Sequence, residues 1–268
     1  MNRLKEVFHK KNKNILSIYF TAGFPELNST MEILKSLEEN GADLVELGMP
    51  FSDPLADGPV IQHSSEVALK NGMNLDLMFE QTKEMRKQIS IPVVLMGYLN
   101  PLLQYGIEKF LQRASENGFD GLIIPDLPLR EYELAYKPLF EKYNLKNVFL
   151  ITPQTSEERI KKIDSLSDGF IYLVSSASTT GAKDSFSAEQ QNYFKRISSY
   201  KLNNPLLAGF GISNSKTFEQ ACEFTNGAII GSAFIKALQT ENYTSAISKF
   251  INSIKQKETV SHDSPIRK

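Results

Sequence analysis

The sequence predicts an α/β chain folded as a single (β/α)8 TIM-type barrel with an extra helix ahead of its first strand. Three observations predict it. Eight short apolar runs are spaced along the 268 residues. Each run is nearly continuous rather than alternating, as suits parallel strands covered on both faces. Between them lie segments whose apolar residues recur at helical spacing. A doubly wound open sheet is the alternative, but eight sequential strand–helix units of similar spacing close more naturally than they stay open.

In chain order, residues 4–9 form an amphipathic piece placed to plug the bottom of a barrel. The first strand is expected at 15–22. A helix follows, with Met31, Leu34 and Leu37 on one face and Glu32, Lys35 and Glu38 on the other. Asn28-Ser29-Thr30 offers an N-cap for it, and Asn40-Gly41 a stop. The second strand is expected at 43–48. Residues 60–88 have length enough for two helices split near Asn71-Gly72. The remaining strands are expected at 92–98, 121–126, 147–152, 170–175, 205–211 and 227–232, mostly bounded by Gly, Pro, Asn or Asp. No linker of Pro, Gly or Ser divides the chain, so residues 1–257 are expected to form one catalytic barrel domain and 258–268 a polar, flexible tail.

Composition narrows the function. A net charge of -1 carries no basic excess for nucleic acid or a membrane surface. The longest apolar runs are far too short to span a bilayer, and the first residues hold charge but no apolar signal core. The one cysteine, Cys222, excludes a disulfide within the chain, fits a reducing cytoplasm and reads as a small packing residue. His9, His63 and His262 lie too far apart in sequence for zinc-like spacing, so no metal is expected.

The chemistry concentrates at the expected carboxyl ends of the strands, where such barrels build their sites. The stretch ELGMPFSDPLADGP, residues 46–59, carries Glu46, Asp53 and Asp57 in a loop stiffened by Pro50, Pro54 and Pro59. Glu46 lies inside an apolar strand, and a charge there needs a reason. Pointed into the barrel mouth, it would be kept neutral by desolvation, as a general acid requires. Asp53 in Ser-Asp-Pro reads equally well as ordinary turn chemistry. The last three strands end differently: SSASTTGAKDSF around Gly181, AGFG at 208–211 and IIGSA at 229–233. Glycines there let backbone amides reach an anion, and helix starts add more, with Ser213 or Asn214 as a cap and Ser232 as a hydroxyl donor. Each glycine alone reads as a turn; three at matching positions describe a phosphate cradle. Tyr19, Tyr98, Ile151, Tyr172 and Phe210 stand near strand ends, either lining the space between or packing in the core.

These residues also carry a resemblance. ELGMPFSDPLADGPVIQ closely resembles the signature of the tryptophan synthase alpha chain family, as do FTAGFP at the first strand, PDLP after the fourth, TTGA in the sixth loop, GFGIS after the seventh and GAIIGSAF at the eighth. The resemblance implies a (β/α)8 barrel that cleaves indole-3-glycerol phosphate to indole and glyceraldehyde 3-phosphate in tryptophan biosynthesis. It implies no cofactor in this chain, pyridoxal phosphate only in a partner beta chain, and an αββα heterotetramer. By position it places the two catalytic acids on Glu46 and Asp57, and the substrate phosphate near Gly181, Gly211 and Gly231 with Ser232, and Thr180 is a further substrate-binding candidate. Many relatives have arginine and glycine where this chain has Ser176 and Ser178, which bears on how the sixth loop closes. The motifs do not separate a lyase working within a complex from a free-standing one. A non-enzymatic barrel would have no chemical need for both acids.

Overall fold

The computed structural model describes residues 2–175 and 185–255. Eight strands, β1 (Ile15–Thr21), β2 (Leu44–Gly48), β3 (Val93–Met96), β4 (Gly121–Ile123), β5 (Lys146–Ile151), β6 (Ile171–Val174), β7 (Leu206–Gly209) and β8 (Gly227–Ile230), pair in parallel in chain order, and β8 closes on β1. All eight expected strands are present, one to three residues shorter at most ends, because the barrel ladder stops where the loops diverge. The helices are α1 (Arg3–Lys10), α2 (Thr30–Glu39), α3 (Pro59–Lys70), α4 (Leu75–Thr82), α5 (Leu99–Tyr105), α6 (Ile107–Glu116), α7 (Leu129–Glu131), α8 (Lys137–Lys142), α9 (Glu157–Leu166), α10 (Ala188–Ser199), α11 (Ser215–Phe224), α12 (Ser232–Ala237) and α13 (Tyr243–Lys255). A π turn, Tyr132–Tyr136, joins α7 to α8.

Alternation along each strand sorts side chains into two layers. Ile15, Leu44, Val94, Ile123, Val148, Phe170, Leu207 and Ile229 fill the barrel interior. Leu16, Ile18, Phe20, Val45 and Leu47 turn outward to the helices. The plug is present: α1 inserts Leu4, with no exposed surface, among the interior residues, and Phe8 packs on Phe170 at 5.9 Å between ring centroids. Burying a leucine this way stabilises by ~1.5–3 kcal/mol. Asn2 caps α1 through Leu4 N–H and ties it to the Asp120 carbonyl at 3.0 Å. On the same end of the barrel, the buried Asp120 carboxylate accepts from Arg86 Nη2 at 2.6 Å and Val93 N–H at 2.9 Å. Cys222 packs in the outer core, its thiol pushed up to about 12 by burial.

The 60–88 region divides as expected, with Asn74 accepting from Leu77 N–H to start α4. The expected cap on α2 is corrected: Ser29 sits at the N-cap but is already helical in backbone. Its hydroxyl donates to the Phe24 and Glu26 carbonyls, so it closes the preceding turn instead of capping α2. The tail 258–268 lies outside the described residues.

Candidate active site

Glu46 is the third residue of β2 and has no exposed surface. Register places it beside Tyr19 of β1. Its Oε1 accepts a hydrogen bond from Ser17 Oγ at 3.1 Å, while Oε2 is buried without a hydrogen-bond partner among the described residues. Burial pushes its pKa up to about 8, against the smaller downward pull of the Ser17 hydroxyl. Such burial favours the protonated carboxyl at neutral pH.

The loop after β2 is held by a small set of bonds. Asp57 N–H donates to the Pro54 carbonyl at 3.0 Å, and Gln62 Nε2, one turn into α3, donates to the Asp57 carbonyl at 2.9 Å. Tyr98, just past β3, brackets the loop from the neighbouring strand. Its Oη accepts from Ala56 N–H at 2.9 Å and donates to Asp57 Oδ2 at 2.9 Å, and its ring packs on Phe51. Asp57 is half-buried. Burial pushes its carboxyl up to about 6, opposed by the bond from Tyr98. The two acids are thus pushed to different heights by their surroundings. Asp53 is exposed, and its contacts are Ser52 Oγ and the Leu55 N–H on its carbonyl, which is turn chemistry.

Two tyrosines join the acids. Tyr19 lies across Gly48: a Cβ there would meet its hydroxyl oxygen at 2.2 Å. Tyr172 lies across Gly209 in the same way, at 2.1 Å. Both phenols are buried, and both are raised far above their ordinary range by burial and by the charges of Glu46 and Asp57. Each tyrosine therefore lies within electrostatic reach of both acids. Tyr19 Oη also sits 3.4 Å from Thr21 Oγ1, which bonds Ser64 Oγ of α3 at 2.7 Å.

Across the mouth, Phe210 and Gly211 turn the chain after β7 with φ of 69° and 77°. Phe210 packs its ring near Tyr172 at 6.2 Å, and a Cβ on Gly211 would meet nothing within 4 Å. Glycine adopts that φ freely, and Gly211 is exposed. Of the two helix starts nearby, that of α11 is occupied: Asn214 and Thr217 cap each other. The start of α12, at Gly231 and Ser232, has no side-chain cap.

The structure thus groups Glu46, Asp57, Tyr19, Tyr98, Tyr172 and Phe210 on one end of the barrel, with Gly211, Gly231 and Ser232 at neighbouring strand ends. Ile151 does not join them. Along β5 it is Val148 and Leu150 that pack with the interior set, and Ile151, one residue on, turns to the helix layer, where its carbonyl accepts from Tyr193 Oη of α10. Thr180 and Gly181, with Ser176 and Ser178, lie outside the described residues. Ser17 and Gln62 were not expected. Ser17 shares the inward parity of Tyr19, two residues along the same strand, and a polar residue on that face is the signal that points to it.

The family described as tryptophan synthase alpha chain matches residues 6–262. The tryptophan synthase alpha chain of Flavobacterium psychrophilum is 59% identical over 254 residues, covering 95% of this chain and all of that one. That of Parabacteroides distasonis is 52% identical over 257 residues, covering 96% and 100%. Among solved structures, tryptophan synthase subunit alpha from Legionella pneumophila superposes with a TM-score of 0.85 at 36% identity, over 95% of this chain and 97% of that one. Tryptophan synthase from M. tuberculosis in its aminoacrylate-bound form gives 0.83 at 26% identity, over 95% and 98%.

Proposed function

Because the chain belongs to the tryptophan synthase alpha chain family, and is on that ground an enzyme subunit of tryptophan biosynthesis, we propose that Glu46 and Asp57 carry out its carbon–carbon cleavage. The observation that supports this most is Glu46 itself: fully buried, one oxygen engaged, the other bare, its pKa raised to about 8.

The substrate is indole-3-glycerol phosphate. Glu46 delivers its proton to C3 of the indole, and the ring nitrogen takes up positive charge. Asp57, ionised above about pH 6, accepts the indole N–H and stabilises that charge. Glu46, now a carboxylate, removes the proton of the glycerol hydroxyl next to the ring. The bond between C3 and the glycerol carbon breaks, its electrons return to the ring, and indole and glyceraldehyde 3-phosphate leave. The carboxyl recovers the proton it gave, so the balance closes. Tyr19, Tyr172 and Phe210 flank the ring. The phosphate sits at the start of α12, which no side chain caps among the described residues, with Gly211, Gly231 and Ser232. A hydrogen bond to a charged group is worth ~1.5–3 kcal/mol net, so amides alone suffice for a dianion.

The chain needs no cofactor for these steps and works beside a beta chain that holds pyridoxal phosphate, as αββα. Exposed leucines support the docking surface: Leu55 after β2 (93% exposed), Leu103 on α5 after β3 (48%) and Leu134 after β4 (68%) follow three adjacent strands. Among the described residues no helix is long and apolar enough to cross a membrane, and we place the enzyme in the cytoplasm.

The test is indole release from indole-3-glycerol phosphate, with and without a beta chain. Glu46→Gln should keep the fold and lose ~10²–10⁴-fold in turnover, the range of a general acid–base group. Asp57→Asn should lose ~10²–10³-fold, the range of one electrostatic stabiliser. Wild-type rates in either variant remove that residue from the mechanism.

A further inference from the structure

We infer that Ser17 is a positioning residue that selects which oxygen of Glu46 carries the transferable proton. This rests on the reading of Glu46 as the acid and base. Ser17 has no exposed surface, and among the described residues the one hydrogen bond its hydroxyl makes is the donation to Glu46 Oε1. An oxygen that accepts a hydrogen bond is a poor place for the acid's own proton. The proton of neutral Glu46 therefore resides on Oε2, the oxygen left without a partner among the described residues.

Geometry makes this directional. Register pairs Ser17 with Leu44 and Tyr19 with Glu46, so Ser17 stands two residues nearer the amino end of the barrel than the level of the carboxylate. The anchor holds Oε1 from the amino side, the side of Leu4, Leu44 and Phe170, which leaves Oε2 as the oxygen to serve the mouth. Without Ser17 the carboxyl has no fixed rotation, and either oxygen can hold the proton. After proton delivery the same hydroxyl bonds a carboxylate, and such a bond is stronger than its neutral counterpart. Ser17 thus helps both halves of the cycle, in which the proton leaves Oε2 for carbon and returns to Oε2 from the substrate hydroxyl.

Among the described residues the titratable groups that feel Glu46 are Tyr19 from β1 and Tyr172 from β6, and both phenols also feel Asp57 from the β2 loop. Both phenols titrate far above the working range, so the alkaline limb of a pH–rate profile reports Glu46. Ser17→Ala should lower turnover by about ten-fold with little change in KM, and should move the alkaline limb upward by about one pH unit, because the carboxylate loses the donor that stabilises it. Ser17→Thr keeps the hydroxyl and should restore both. Melting curves and binding of glycerol phosphate check that each variant is folded. A folded Ser17→Ala with wild-type turnover and an unmoved alkaline limb overturns the inference, as does a folded Ser17→Thr that behaves like Ser17→Ala. Glu46→Gln, assayed alongside, separates the two levels. If it retains turnover, the acid–base reading fails; if it is dead while Ser17→Ala is normal, only the role of Ser17 fails.

Discussion

Two carboxyls in one barrel mouth are pushed to different pKa values by what surrounds them. Glu46 meets burial and one hydroxyl and titrates at about 8; Asp57 meets partial burial and a phenol and titrates at about 6. The proposed chemistry needs Glu46 protonated and Asp57 ionised, and both conditions hold together between those values. The expected kcat/KM profile is a bell, rising with a limb near pH 6 and falling with a limb near pH 8. In Asp57→Asn the enzyme-borne part of the acid limb should vanish while the alkaline limb stays. A profile flat through pH 8 contradicts Glu46 as the acid. At this scale Glu46 was legible because a charge inside an apolar strand has few structural reasons to exist. Ser17 was not, because a serine in a strand is unremarkable until strand parity and register put it beside a carboxyl.

Elements convert those residues into a site. The β2 loop is short of regular structure, and its prolines restrict it without fixing where Asp57 points. Tyr98 does that from just past β3, with one bond to the loop backbone and one to the carboxylate. Tyr98→Phe keeps the ring on Phe51 and removes both bonds. It should destabilise the fold by only ~1–2 kcal/mol, yet lower turnover by roughly 10²-fold, since a misplacement of about 1 Å can do so. Turnover near wild type in Tyr98→Phe would show that the prolines and Gln62 suffice to hold Asp57. Element existence was legible from the apolar runs; element ends were less so. Ser29 read as a helix cap but serves a turn, because two carbonyls before α2 compete for its hydroxyl. Ile151 read as lining but faces the helices, because one residue of strand parity decides between pocket and core, and the run from Val148 to Ile151 is apolar at every position, which hides its parity from sequence.

The whole molecule keeps this site dry at the expense of its own stability. Closure of β8 on β1 and the insertion of Leu4 seal the lower barrel with apolar side chains, and Glu46 is the carboxyl stranded above them. Its pKa rises from 4.5 to about 8 on folding, so at intermediate pH the folded state holds a proton that the unfolded chain has released. The stability tied to this group is fully present below about pH 4.5 and is lost as pH rises towards about 8. Above that, the fold contains a buried carboxylate with one hydroxyl donor. Glutamine has the same shape and no charge to desolvate. Glu46→Gln is therefore expected to be inactive and yet more stable than the parent at about pH 9, by a few kcal/mol, with the gap closing towards about pH 5. Denaturant midpoints across that range measure it. A gap independent of pH would mean that Glu46 does not titrate as a buried neutral acid, and its role as proton donor at neutral pH would fall with that result.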